Sequence, residues 1–279
     1  MKFKICLLGT ENNQNTRFMI MEMYKKGVEF SLVFERQKKK IPTEGNFIKN
    51  LSNQCAVFFK KFNNGSLKGL SPISYFYWKK IVDRILFSRS YAFKTLTSEY
   101  DDTSFHNALC KVETQYFDDI NNSEARNYFL DSKFDIGVLG GIGFLSEQTI
   151  NCFEKFCVNA HPAPLPQCRG GGALENTLSQ GLNPSVSIHL VTPEIDGGDI
   201  LKVVPVKLES NDSFSIVRLK LSIYCYQVLA SVVFDVLSGE KLKRISNRGK
   251  LFYWKDCTVD VQKKAEKNLK ILLAELSSK

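Results

Sequence analysis

The chain has 279 residues, 43% hydrophobic and 24% charged, which argues against a disordered chain and fits one large globular domain with a smaller one beside it. Its 38 Lys and Arg against 29 Asp and Glu leave a formal net charge of +9; this suggests an anionic partner (nucleotide, phosphate, folate, nucleic acid or acidic membrane) without choosing among them. The eight cysteines include no C-x-x-C pair and follow no regular spacing, so they read as reduced thiols.

The opening MKFKICLLG carries too short an apolar run for a targeting segment. Within it Phe3–Gly9 reads as a buried parallel strand, Thr16–Lys26 as a helix ended by Gly27, and Val28–Glu35 as a second strand. This β-α-β start predicts a doubly wound, mostly parallel α/β sheet. Glu35–Lys40, ERQKKK, reads as a solvated loop. Residues 36–115 mix basic, aromatic and polar types and are expected as an insertion, with a helix over Tyr75–Phe87. A helix over Asn121–Leu130 and a strand over Ile136–Leu139 follow, and Ser146 is placed to cap a short helix reaching about Glu154.

Cys157–His161 is the next strand, then a helix from Ala173 to Gly181 and strands over Ser185–Val191 and Ile200–Leu208. Ser213–Leu237 is a long apolar-periodic helix. Its most apolar part, Ile223–Leu237, carries Gln227 and Asp235, and no segment is expected to reach the length of a membrane span. Lys250–Trp254 is a candidate strand and Val261–Leu276 an amphipathic helix. A boundary near Pro205–Asn211 divides a main domain over 1–207 from a mostly helical C-terminal accessory region over 208–279.

Alternate residues of a strand share a side, so Asn159 and His161 project together where a strand ends and prolines begin. Ligands bind at that end of such sheets. Further on, EIDGGD offers Asp196 beside two glycines that allow a tight turn. An amide and an imidazolium can both donate to a developing oxyanion, and a carboxylate nearby can support the imidazolium and help move protons. No serine or cysteine stands as an obvious nucleophile, which points to direct attack by a substrate amine on a carbonyl. Taken singly, His161 is equally well a structural histidine at a proline turn, and Asp196 an ordinary Asp-Gly turn.

The run NAHPAPLPQCRGGGALENTLSQG, with SVSIHLVTPEIDGGDIL after it, resembles the 10-formyltetrahydrofolate-dependent formyltransferases. Asn159, His161, Leu165-Pro166, Arg169-Gly170 and Asp196-Gly197-Gly198 fall in that family's order. The likeness is strong from about Asp135 to Val206, moderate over the first 35 residues and poor elsewhere. It implies a Rossmann-like domain, 10-formyltetrahydrofolate as co-substrate, no metal, and catalytic roles for Asn159, His161 and Asp196. It also implies a folate pocket formed by backbone near Phe144 and Leu145 and by the loop Pro193, Glu194, Ile195, with His189 beside the reacting groups.

The first βα turn, GTENNQNT, has one glycine where relatives that act on glycinamide ribonucleotide have a glycine-rich phosphate loop. Glu11 replaces the proline of the methionyl-tRNA enzymes. The resemblance therefore points to the nucleotide-sugar N-formyltransferases, with a dTDP- or UDP-linked amino-deoxysugar as acceptor for surface polysaccharide such as lipopolysaccharide O-antigen. Methionyl-tRNA formyltransferase is the alternative, with tRNA as partner, and an inactive folate- or nucleotide-binding relative a further one. Otherwise neither nucleic acid nor membrane is expected as partner; a homodimer and a cytoplasmic location are.

Overall fold

A computed structural model describes residues 3–36 and 91–277, the side chains of 91, 92 and 277 excepted. Seven strands form one sheet: β1 (Ile5–Thr10), β2 (Ser31–Glu35), β3 (Thr114–Phe117), β4 (Ile136–Gly140), β5 (Phe156–His161), β7 (Ser185–Leu190) and β8 (Ile200–Pro205). Their order is β3-β2-β1-β4-β5-β7-β8. The pairs from β3 to β5 are parallel, while β5-β7 and β7-β8 are antiparallel. This is the doubly wound, Rossmann-like arrangement that the β-α-β opening predicts. Two short strands, β6 (Arg169–Gly170) and β9 (Leu251–Phe252), pair separately.

Alternation within β1 explains why the sheet is covered on both faces. Ile5 and Leu7 belong to one buried cluster, Cys6 and Leu8 to another, as expected when successive side chains point to opposite sides. Helix α1 (Gln14–Lys25) starts with the Asn13 side chain accepting from Asn15 N, and packs on the first cluster through Phe18, Met19 and Met23. Its Thr16 Oγ1 donates to Gly140 O at 2.5 Å, and Thr10 and Asn13 both donate to Gly141 O. These bonds draw the loops after β1 and β4 together, where the strand order reverses and such sheets bind ligands.

Part of the stretch expected as an insertion belongs to this fold. Helix α2 (Tyr91–Thr97), a 3₁₀ turn over Ser98–Tyr100 and helix α3 (Asp102–Leu109) lead into β3. The Tyr100 ring meets Phe18 edge-on at 4.6 Å, and its hydroxyl donates to the buried Glu22. The helix expected over Tyr75–Phe87, and most of the basic run after Glu35, lie outside the described residues. Helix α4 (Ser123–Ser132) is capped by Asn122, and α5 (Glu147–Ile150) by Ser146, as expected, though α5 ends after one turn.

Residues beyond 208 also join the core. Helix α7 (Phe214–Leu237) buries Val217, Leu221, Leu229 and Val233 in the same cluster as β1 and α1. It follows α6 (Ala173–Ser179) in the chain, and α6 packs against the closing helix α8 (Val259–Ser277). Contrary to the sequence expectation, α7 is long and apolar enough by length and composition to cross a membrane. Its buried apolar face packs on α1, β5 and β7. The strand expected over Lys250–Trp254 is shorter: Asp256 Oδ2 accepts from Tyr253 N at 2.7 Å and turns the chain into a 3₁₀ segment, Trp254–Asp256.

Candidate active site

β5 leaves the sheet at His161 and runs into the proline segment. Buried Ser187, opposite His161 in β7, holds that segment by donating to Ala163 O at 2.7 Å and accepting from Leu165 N at 2.9 Å. The Leu165–Pro166 peptide is cis. Asn159 stands opposite His189 in the same ladder. Three predicted residues and one neighbour therefore meet at the end of β5.

Asp196 is the centre of the group. Its Oδ2 lies 3.3 Å from His161 Nδ1 and accepts from Gly170 N at 3.0 Å, while its Oδ1 lies 3.5 Å from His189 Nε2. His161 Nε2 donates to Cys168 O at 2.7 Å, and His189 Nδ1 donates to Leu190 O at 2.8 Å. These carbonyl partners fix which ring nitrogen carries a proton in each histidine. Asn159 Nδ2 completes the chain, 3.4 Å from His189 Nε2.

The electrostatics follow from burial and pairing. Burial would raise the Asp196 carboxyl, but His189, His161 and the Gly170 N–H together hold it down at about 2. Burial pushes the His161 imidazolium down from its ordinary range, opposed by Asp196 and the Cys168 carbonyl. A neutral His161 with its proton on Nε2 is thus the resting form. The expected part of His161 as an oxyanion donor is not what the geometry presents, since the proton on Nε2 goes to Cys168 O and Nδ1 faces the Asp196 carboxylate. Asn159, half-buried, is the amide donor of the set.

Asp196 sits at φ 44, in the left-handed region, so its loop must be held from outside. Two residues do this. Buried Asn247 donates to Asp196 O at 2.6 Å and to Gly198 O at 3.2 Å. Buried Arg169 donates to Ile195 O at 2.9 Å and Gly249 O at 3.2 Å, and pairs with Glu194 at 3.2 Å. Gly198 lets the loop lie on β7: a Cβ there would fall 2.0 Å from Leu190 O. Gly198→Ala is therefore expected to cost about 1–3 kcal/mol in denaturant unfolding. Gly143→Ala, which meets nothing within 4 Å, should stay near wild type in the same assay.

A cavity of about 500 Å³ opens onto the group. His161 and Asp196 form one part of its wall; Arg218 of α7 and the consecutive Phe252, Tyr253 and Trp254 form another. Of the residues expected at a folate, Ile195 borders this cavity, and Phe144 is 60% exposed. Pro193 and Glu194 are exposed on the loop before Asp196. Leu145 turns its side chain into the second core cluster, which leaves its backbone for a ligand. Among the described residues, no three His, Cys, Asp or Glu side chains are grouped to hold a metal ion.

Sequence reasoning gave His189 a supporting place, and the structure puts it against Asp196. It missed Asn247, the clamp made by Arg169, the Cys168 carbonyl and the aromatic wall. Gly170, φ 88, was legible only as part of a motif; it is needed because a Cβ would meet Phe252 O at 2.2 Å.

The formyl transferase family model matches residues 109–233. Methionyl-tRNA formyltransferase of Buchnera aphidicola (strain Tuc7 of the Acyrthosiphon pisum subspecies) is 25% identical over 164 residues, covering 56% of this chain and 52% of that protein. The chain thus spans about half the length of that curated relative. A 4-N formyltransferase from Francisella tularensis superposes with a TM-score of 0.53 at 15% identity, over 95% of this chain and 86% of that one. WlaRD, a sugar 3N-formyl transferase solved with dTDP and 5-N-formyl-THF, superposes with a TM-score of 0.53 at 13% identity, over 97% and 80%. At these identities the likeness to the solved structures is one of fold.

Proposed function

We propose that this chain, whose residues 109–233 match the formyl transferase family model, is an N-formyltransferase that moves the formyl group of 10-formyltetrahydrofolate to the amino group of a dTDP- or UDP-linked amino-deoxysugar, for surface polysaccharide. The observation that carries this reading is the Asn159, His161, His189 and Asp196 cluster, of which His161 and Asp196 line a cavity with room for a second substrate. For the folate, exposed Phe144 and Ile195 offer apolar surface, and the exposed loop 193–195 offers backbone groups.

10-Formyltetrahydrofolate supplies, when bound, a formyl carbon on a nitrogen that can leave. Asn159 donates its amide hydrogen to the formyl oxygen as negative charge grows there. The neutral His161 takes the proton of the incoming amine at Nδ1, where the Asp196 carboxylate stabilises the imidazolium that forms, and returns it to the departing nitrogen. Cys168 O keeps the ring in the required tautomer, and Gly170 N–H keeps the carboxylate aimed. One C–N bond forms, one breaks and one proton is relocated, so no further reactant is needed.

Transfer to methionyl-tRNA is the second reading, favoured by the Buchnera relative. A panel of amines separates the two. Tetrahydrofolate release is measured with the donor and dTDP- or UDP-amino-deoxysugars, glycinamide ribonucleotide or methionyl-tRNA. Release that depends on a nucleotide-linked amino sugar is expected; release with methionyl-tRNA alone would replace the sugar reading.

A further inference from the structure

We infer that the rim of the cavity made by Tyr253, Trp254 and Arg218 is the subsite for the nucleotide half of the acceptor, with a planar base against the aromatic rings and its phosphates toward the guanidinium. The inference rests on the formyltransferase reading and adds where the acceptor's handle is held. Phe144, Leu145, Pro193 and Glu194, expected at the folate, do not border this cavity; of that set only Ile195 does. The space between Asp196 and Trp254 is therefore left for the second substrate.

The aromatic wall is large, exposed and rigid. Trp254 is 68% and Tyr253 50% exposed, although rings of this size are ordinarily buried. They are not on a loose loop. β9 pairs with β6 just before them, Asp256 fixes Tyr253 N, and a Cβ on Gly171 would stand 2.8 Å from Trp254 N. Flat π surfaces held in place at a site mouth suit a base, since stacking accepts any heteroaromatic ring.

The charge around the wall matches a diphosphate. Arg218 is held by the buried Glu175 at 2.8 Å, and Lys250 and Lys255 lie over the rings of Phe252 and Tyr253 at 5.0 and 5.3 Å. Lys241, Lys243, Arg244 and Arg248 precede them, with no Asp or Glu from 241 to 255. A guanidinium beside a cavity is the usual partner for phosphate oxygens.

The test titrates dTDP and UDP into the full chain by calorimetry, in wild type and in Trp254→Leu, Trp254→Phe, Tyr253→Leu and Arg218→Met. One diphosphate is expected to bind wild type. Trp254→Leu should weaken it roughly ten-fold or more, and Trp254→Phe should recover much of that loss. Arg218→Met should weaken the diphosphate more than the parent nucleoside. Unchanged diphosphate affinity in both Trp254→Leu and Tyr253→Leu would overturn the subsite, as would tight tRNA binding with neither diphosphate bound. Folate binding and the amine panel are run on the same proteins. Formylation of an amino sugar with indifferent rim variants sinks the subsite alone. Diphosphate binding that depends on Trp254, without formylation of any amine, supports the subsite and sinks the reaction.

Discussion

Asp196→Asn is expected to lower formyl transfer by about 10²–10⁴, the usual span for removing an acid-base group, with folate affinity little changed. The amide oxygen can still accept from Gly170 N–H, so the loop keeps its shape. What is lost is the negative charge that lies between His161 Nδ1 and His189 Nε2. Single-turnover tetrahydrofolate release reads the chemical step; near-normal release would remove Asp196 from the mechanism. The same variant carries a stability signature. The folded carboxyl sits at about 2, below the ordinary value near 3.9. A depressed carboxyl stabilises the fold above its unfolded value and loses that contribution as pH falls through the folded one. Wild-type stability should therefore drop between about pH 4 and pH 2 by roughly 2 kcal/mol more than that of Asp196→Asn.

His161→Ala is expected to cost about 10²–10⁴ in turnover, again with folate binding largely intact. Its pH profile distinguishes a proton-handling part from mere support. Burial pushes the folded imidazolium below its usual range, so the neutral form predominates at neutral pH. Wild-type kcat should fall on the acid side, below the ordinary histidine value of about 6.5, as His161 takes up a proton. The alanine variant should lose that acid limb and keep only the residual, flatter rate. A retained limb would assign it to another group.

The sheet was legible in the sequence because β1 and β4 are short apolar runs beside glycine and β5 starts apolar and runs into prolines. Asn159 and His161 were legible because their alternation and the end of their strand are local facts. Their electrostatic setting was not, since it depends on Cys168 O and Gly170 N arriving from another turn of chain. Asn247 gives no local signal: it stands among basic residues and acts on a partner 51 positions earlier. The region past 208 was read as accessory because an apolar helix after a plausible boundary has no partner visible in its own sequence. Leu145 was expected at the pocket through its backbone, and nothing in its own sequence told that its side chain would join the second core cluster.

The β6–β9 ribbon has a consequence for how the molecule comes to exist. Asn159, His161 and Asp196 are all made by position 196, yet the bracing of the Asp196 loop waits for Asn247 and Gly249. A chain cut before Asn247 would hold all three side chains and lack that brace.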